Sequence, residues 1–384
     1  MDFTMYRIAL SMLVGDKIKC WGLIFGVTFS ALLITQQISI FVGLMSRVSS
    51  LILSIPEASV WVMDPRSAYI EEIQPLRDVD LQRVRSVSGV MWAVPFHKST
   101  VSATTQDGQL HQVQVIGIDP LTFLGMNRDI IQGKLEYFCH PLAGILDVNG
   151  YQRIWSFSDI KLPKTLTMHH HRLSIQGVCE SRPTFFSFPL LYVSYSTIKS
   201  MLGNKSYTLS FILVKERVGI TPEVLAQRIT KETGLQAITQ HEFSSKSIQY
   251  VLKRTGIPIN FAITILLGAL VGGAITAQTF YLFFMENLKQ FASMKVMGVS
   301  NKTLARMALV QAGCVGSIGY GLGVGLTALF LWSQRNAPAF KGFSLHWQVL
   351  MISFVMITAM ILLSVIVSLK RLFRADPMMV FRGA

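Results

Sequence analysis

Charge is scarce in this chain, at 15% of 384 residues against 51% hydrophobic, and in four stretches it is missing altogether. Trp21–Met45, Ile257–Met285, Met307–Trp332 and Trp347–Leu369 contain no Asp, Glu, Lys, Arg or His. Each is longer than the roughly 20 residues needed to cross a hydrocarbon core. A soluble core helix rarely stays uncharged for so long, so the absence predicts four membrane-spanning helices. Intramembrane carboxylates, the usual marks of proton- or ion-coupled transport, are missing with the rest. Any energy for work across the membrane then has to come from a separate subunit.

Catalytic signatures are also lacking. No G-x-x-x-x-G-K-[ST] sequence is present to cradle a nucleotide, and the glycine run Gly319–Gly325 follows no strand. There is no G-x-S-x-G nucleophile elbow, and neither H-E-x-x-H nor paired C-x-x-C to hold a metal. The expectation is a chain with no catalytic residues, no metal site and no cofactor of its own. His169, His170 and His171, with His140 before them, form the one conspicuous cluster. Consecutive residues point to alternate sides, so solvated loop histidines are expected there. The four cysteines are scattered: Cys20 and Cys314 fall at or inside spans, Cys139 and Cys179 in the middle of the chain. Whether the latter two pair in an oxidising compartment is open.

The net charge of +14 is unevenly placed. Residues 46–256 hold 22 Lys/Arg against 17 Asp/Glu, close to balance. The terminal segments and the loop after the second run instead hold Arg7, Lys17, Lys19, Lys289, Lys295, Lys302, Arg306, Lys370, Arg371, Arg374 and Arg382. Against these stand only Asp2, Asp16, Glu286 and Asp376. Such an excess is the positive-inside pattern, which puts both termini in the cytoplasm and makes nucleic-acid binding a poor account of the charge. The first run is too long for a signal-peptide core and no small-x-small site follows it, so an uncleaved anchor is expected.

The expected order is a cytoplasmic segment (1–20), a first span (21–45), an extracytoplasmic domain (46–256) and a second span (257–285). A cytoplasmic loop (286–306), a third span (307–332), a short outer loop (333–346), a fourth span (347–369) and a cytoplasmic tail (370–384) follow. The large domain reads as mixed α/β. Ser59–Met63, Val113–Ile118, Arg172–Val178, Leu190–Tyr195 and Leu209–Val214 have strand character. Asp80–Val87, Ser196–Leu202 and Thr221–Thr233 have helical spacing, the last with Thr221 as N-cap, Pro222 at the first helical position and Gly234 as its stop. Gln106-Asp107-Gly108 and Asn149-Gly150 read as turns. In the spans, Gly268 with Gly272, Gly319 with Gly323, and Gly321 with Gly325 recur at the spacing that lets membrane helices approach closely.

The loop Glu286–Ser300 carries the most local information. A helix is expected to run on past Glu286 and to stop at Gly298 in a left-handed cap, with Ser300 or Asn301 capping the next. Leu288, Phe291, Met294 and Lys295 would share one face. An exposed apolar and basic face suits docking to a cytosolic partner, and equally an interfacial connector lying on anionic membrane lipid.

This loop resembles the signature of FtsX/MacB-type permeases of ABC transporters, roughly E-x-x-x-[EQ]-[FI]-A-x-[LM]-[KR]-x-[LM]-G-[AV]-[ST]. Glu286, Gln290, Phe291, Ala292, Met294, Lys295, Met297, Gly298, Val299 and Ser300 occupy it in order. A second family mark is a basic stretch followed by [DE]-P-x-x-[AV]-[FL]-R, matched here by Lys370, Arg371 and Arg374, then Asp376, Pro377, Val380, Phe381 and Arg382. Val60–Pro65, Arg83–Val90, Trp92–Pro95 and Thr255–Phe261 are similar to the DevC-like branch, permeases of the heterocyst-glycolipid exporter type. The resemblance implies four transmembrane helices in a one-plus-three arrangement and a periplasmic domain of the MacB core type. It implies a multi-pass protein of the bacterial inner membrane, paired as a homodimer and bound to a cytosolic ABC ATPase that holds ATP and Mg²⁺. It also implies a periplasmic membrane-fusion adaptor, an outer-membrane channel and export of a lipid-like cargo. ATPase coupling falls to Glu286, Gln290, Phe291, Met294, Lys295, Gly298 and Ser300, and a second docking or anchoring role to Asp376–Arg382. A regulator of an outer hydrolase and a lipoprotein-releasing permease share the topology, and both stay open.

Overall fold

The computed structural model describes residues 2–126, 129–155, 159–203, 207–335, 337, 340 and 343–374. The chain begins with α1 (Asp2–Gly15), α2 (Lys17–Val48) and the one-turn α3 (Ser50–Leu53). Then come β1 (Val60–Met63), β2 (Leu76–Arg77), α4 (Asp78–Arg85), β3 (Val90–Thr105), β4 (Leu110–Ile118), β5 (Ile130–Gly133), β6 (Ala143–Asp147) and α5 (Val148–Trp155). β7 (Lys164–Met168), β8 (His171–Cys179), β9 (Leu190–Ser194), α6 (Tyr195–Met201), β10 (Tyr207–Leu209), β11 (Phe211–Glu216), α7 (Pro222–Thr233), β12 (Gln236–Thr239) and α8 (Gln240–Arg254) complete the middle. The chain continues through α9 (Ile257–Glu286), α10 (Leu288–Val296), α11 (Asn301–Ser333) and α12 (Trp347–Arg374).

Two compact units result, one of residues 44–255 with 337–342, the other of the remainder. The middle unit is built on a ten-stranded sheet in the order β12-β1-β11-β3-β4-β9-β6-β8-β5, with β7 bridging β3 and β8. Pairing is antiparallel except for β4 with β9 and β6 with β8. Trp61 is fully buried and packs among Phe96, Phe211 and Phe243 at centroid distances of 5.7, 5.6 and 5.4 Å. The first and last strands are neighbours, Val60 opposite Thr239 and Trp61 opposite Ile238. Gln240 reinforces that junction by donating to the carbonyls of Ile52 and Ile55 at 2.8 and 2.9 Å.

Each of the five segments read as strand holds one, though Tyr195 already begins α6 and Leu209–Val214 divides at Ser210 between β10 and β11. α7 has the expected ends: the Thr221 side chain accepts from the Val224 N–H, and Gly234 sits at φ +72°. Other expectations need correction. α4 starts at Asp78 rather than Asp80, because the Asp80 carboxylate reaches back to the Arg77 N–H at 3.0 Å. Asn149-Gly150 is no turn but the first turn of α5, since buried Asp147 receives the Leu190 N–H at 2.7 Å and hydrogen bonds from residues 149 and 150. His169 and His170, with φ of +47° and +66°, form the two-residue turn of the β7–β8 hairpin, where both central residues need positive φ.

Among the described residues four helices are long and apolar enough to cross a membrane: Lys17–Val48, whose last residues from 44 on fall in the middle unit, Ile257–Glu286, Asn301–Ser333 and Trp347–Lys370. Glycines set their approach. A Cβ on Gly272 would lie 1.4 Å from Ser30 Oγ, and one on Gly268 would lie 3.4 Å from Leu33 Cβ. On α11, a Cβ on Gly319 would lie 2.8 Å from Val27 Cβ, and one on Gly323 2.4 Å from Ala31 Cβ. Gly268, Gly272, Gly319 and Gly323 therefore all face α2. Gly321 and Gly325 do not share this role, because nothing lies within 4 Å of either. They are on the outer side of the same helix. α12 is tied to α9 by Ser364 and Ser368, whose hydroxyls donate to the carbonyls of Gly273 and Ala277 at 3.1 and 2.9 Å. These bonds give polar side chains a partner where water is excluded.

Candidate functional site

Asn287 separates α9 from α10, and its side-chain amide donates to the Phe283 carbonyl at 2.8 Å. α10 then closes with the Val299 N–H on the Met294 carbonyl at 3.1 Å and the Gly298 N–H on the Lys295 carbonyl at 3.0 Å. Gly298 has φ +93°. This pair of bonds around a left-handed residue is a Schellman turn, a position that disfavours any side chain. Ser300 caps α11 by accepting from the Thr303 N–H at 3.3 Å. The loop is thus a short helix between two geometrically defined ends.

The orientation of α10 corrects the shared face read from the sequence. Phe291 and Met294 are buried, 5% and 8% exposed, and Leu288 packs against the same apolar cluster as they do. Phe291 meets Phe284 of α9 edge-on at 5.8 Å. Lys295 parts from these three and is exposed, with Glu286, Lys289, Gln290, Ser293 and Gly298. Val296 and Met297, 79% and 75% exposed, are the apolar side chains left on the outside. Burial explains the division: the bundle takes the aromatic face, and what remains exposed is mostly polar with a two-residue apolar tip.

Glu286 makes an ion pair that periodicity did not suggest. Its carboxylate meets Lys19 near the start of α2, and Lys19 also pairs with Asp16 at 2.5 Å. Asp16 in turn accepts the Lys19 N–H at 3.3 Å. The only sequence signal was an acid-base pair just before the first apolar run. α1, inside what the sequence presents as a plain N-terminal segment, is held to the bundle as well. Gln311, fully buried in α11, donates to the Ala9 carbonyl at 2.7 Å. Of the C-terminal motif, Asp376, Pro377, Phe381 and Arg382 lie outside the described residues.

The middle unit holds several buried ionisable groups, but they serve its packing. Lys98, whose side chain is 2% exposed, pairs with Glu71 and also donates to the Ile70 carbonyl at 3.2 Å. Burial lowers its pKa while Glu71 opposes the shift. His97, whose pKa burial lowers, is hydrogen-bonded to the Thr208 carbonyl at 2.5 Å and to Ser99 Oγ at 2.9 Å. Burial raises Asp147 to about 6 and the Cys179 thiol to about 12, the latter helped by Asp147. Cys139 and Cys179 are both free thiols. Among the described residues no three His, Cys, Asp or Glu side chains gather in a metal-binding group.

Comparison with protein families matches residues 262–377 to the FtsX-like permease C-terminal family. The matched region runs from within α9 through the Glu286–Ser300 loop to the segment after α12. Comparison with curated proteins finds no match. Among solved structures, the periplasmic region of MacB from Actinobacillus actinomycetemcomitans is similar at 17% identity and a TM-score of 0.40, covering 53% of this chain and 97% of that one. The extracellular domain of the noncanonic ABC-type transporter YknZ from Gram-positive bacteria is similar at 14% identity and a TM-score of 0.36, covering 47% and 98%. At these scores the likeness does not extend to function. The family match makes the C-terminal part permease-like, in a multi-pass membrane protein.

Proposed function

We propose that this chain is the membrane permease subunit of an ABC-type exporter, driven by a separate cytosolic ATPase that binds ATP and Mg²⁺. The observation that carries this reading is the family match falling on a loop whose shape is set by its own residues. α10 is held by Phe291 and Met294 on one side and ended by Gly298, with Gln290, Lys295, Val296 and Met297 outward. A push on α10 reaches the bundle through Phe291 and reaches the start of α2 through Glu286 and Lys19. α2 and α9 are the two helices between which the middle domain is strung. Displacement at the loop therefore has two covalent routes into that domain, whose entry and exit strands β1 and β12 are hydrogen-bonded neighbours.

The positive-inside charge distribution supports a bacterial inner-membrane protein with cytoplasmic termini and an extracytoplasmic middle domain. On this reading that domain resembles a MacB periplasmic core and engages a membrane-fusion adaptor leading to an outer-membrane channel. Two permease copies work with two ATPase copies, and the cargo is lipid-like, as in the DevC-like branch. The uncharged spans suit mechanical transmission better than a polar conduction path. The test is co-purification of the full chain with the ABC ATPase encoded beside it, followed by ATP hydrolysis in nanodiscs. A stable complex with altered hydrolysis is expected. Absence of a complex together with unchanged hydrolysis overturns the transporter reading.

A further inference from the structure

The face of α8 that carries Lys246, Tyr250, Lys253 and Arg254 has no part in the reading above. These residues fall at i, i+4, i+7 and i+8, one stripe of the helix. They line an open cleft of about 470 Å³ whose other wall includes Glu72. Tyr250 gives the cleft an aromatic side, its ring fixed by stacking on Tyr69 with centroids 4.4 Å apart and planes 16° from parallel. Its single carboxylate is engaged, since Glu72 accepts the Tyr250 hydroxyl at 2.8 Å. Three cations thus face one occupied acid.

The helix end accounts for part of this only. Lys253 and Arg254 lie in the last turn of α8, where positive charge suits the carbonyl end of the helix. Lys246 lies two turns earlier, and it is held in place by Gln236 Oε1 at 2.8 Å and the Ser67 carbonyl at 3.2 Å. That anchoring keeps a cation at the back of the cleft, while exposed Lys253 and Arg254 stand at its front. The location is covalently defined. α8 ends at Arg254, and α9, which is apolar enough to cross a membrane, begins at Ile257. Three extended residues span about 10 Å at most, so by chain length alone Arg254 stays within about that distance of the first apolar turn. Lys and Arg at such a boundary lay their stems along apolar surface and direct their charge to polar groups.

We infer that the α8 cleft binds the phosphate of an anionic lipid headgroup, with Lys253 and Arg254 supplying the front charges, Lys246 the rear one and Tyr250 the aromatic wall. The inference needs neither the ATPase nor a direction of transport. The test uses the full chain in phosphatidylcholine nanodiscs containing a photoactivatable phosphatidylglycerol, or a photoactivatable phosphatidylcholine as the comparator. Labelled peptides are mapped after digestion. Each cation near an anionic surface contributes about five-fold to binding. Labelling of residues 240–254 by phosphatidylglycerol is therefore expected to exceed that by phosphatidylcholine. It should fall on the order of ten-fold in the Lys253→Gln/Arg254→Gln double variant. Both positions are exposed, so folding is preserved, and thermal unfolding confirms it. Equal labelling by the two lipids, or undiminished labelling in the double variant, overturns the assignment. Loss of the label on adding inorganic phosphate, with ionic strength held constant, assigns the cleft to free phosphate and also overturns it.

Discussion

Replacing Gly323 by alanine adds one methyl group, and its cost follows from what surrounds it. A Cβ there would sit 2.4 Å from Ala31 Cβ, 2.8 Å from the Thr28 carbonyl oxygen and 2.9 Å from the Leu32 nitrogen. Two of the three obstacles are backbone atoms, so no rotamer change relieves them. Restoring carbon contacts to about 3.5–4.0 Å requires α2 and α11 to separate by roughly 1 Å. That separation also strains the contact of Thr327 Oγ1 with the Leu32 carbonyl, already 3.4 Å. Overpacking of this kind costs about 1–3 kcal/mol. For a unit of this size Tm moves by about 2–4 °C per kcal/mol, so a fall of roughly 3–10 °C is expected. Gly325→Ala is the control: nothing lies within 4 Å of that position, and alanine is the better helix former by up to about 1 kcal/mol. It should leave Tm unchanged or slightly raised. Gly272→Ala should behave like Gly323→Ala, but be rescued by Ser30→Gly, because its clash is with the Ser30 side chain. Thermal unfolding of the purified chain in a single detergent measures all four variants. Equal Tm values for Gly323→Ala and Gly325→Ala would refute the close approach of α11 to α2.

Lys19→Glu should weaken the effect of this chain on its partner's ATP hydrolysis several-fold, and Glu286→Lys in the same chain should restore much of it. An unrescued loss shows that the pair does not act as a pair. Gly298→Val forces a β-branched residue to φ +93°, costing at least about 1 kcal/mol locally; the chain should insert and purify normally while coupling drops, and normal ATPase coupling refutes the role of the turn. Lys98→Met strips the buried carboxylate of Glu71 of its cation and should destabilise the middle domain by about 3–5 kcal/mol, whereas Lys98→Met with Glu71→Leu should cost markedly less. Differential unfolding of the two variants separates these outcomes. Asp147 is raised from 3.8 to about 6, so its folded form binds a proton more tightly than its unfolded form. The stability it contributes is full below about pH 4 and is lost as pH rises through 6, a span on the order of 3 kcal/mol. Asp147→Asn should flatten that part of the stability profile relative to the parent chain, and superimposable profiles would count against it.

What could be read from the sequence and what could not divides along a physical line. Gly298 was legible because a left-handed turn tolerates almost nothing else, and Thr221, Pro222 and Gly234 because capping is local chemistry. The glycine pairs were legible as pairs, but spacing alone could not tell Gly323, pressed against Ala31, from Gly325, which faces open space. The same limit reversed the reading of α10. Its apolar periodicity defined a face, and a nine-residue helix can turn that face to a partner or to its own bundle with equal local consistency. Phe284, one helix away, decided the matter by offering Phe291 an aromatic edge. Lys98 was illegible for a similar reason, since a strand lysine reads as solvent-facing until Glu71 closes over it. β3 went unread altogether, its polar run His97–Thr105 looking like loop until its partners β4 and β7 make it sheet. Asn149-Gly150 looked like a turn because its dipeptide is turn-prone, yet the carboxylate of Asp147 makes it a helix start.

The features that escaped the sequence are those on which the proposed transmission rests. Lys19 and Glu286 are far apart in the chain and meet only because α2 and α9 begin and end together on one side of the bundle. The middle domain repeats that arrangement at its own entrance. β1 follows α2 and α3, β12 and α8 precede α9, and they pair through Val60 and Thr239 and through Gln240. A domain inserted by a single flexible linker would absorb motion of its supporting helices. One whose entry and exit strands are hydrogen-bonded to each other suits the proposed transmission better. On the proposed function the long insertion belongs to the mechanical path, and the Lys19–Glu286 pair and the β1–β12 pairing are the places where mutation would test it.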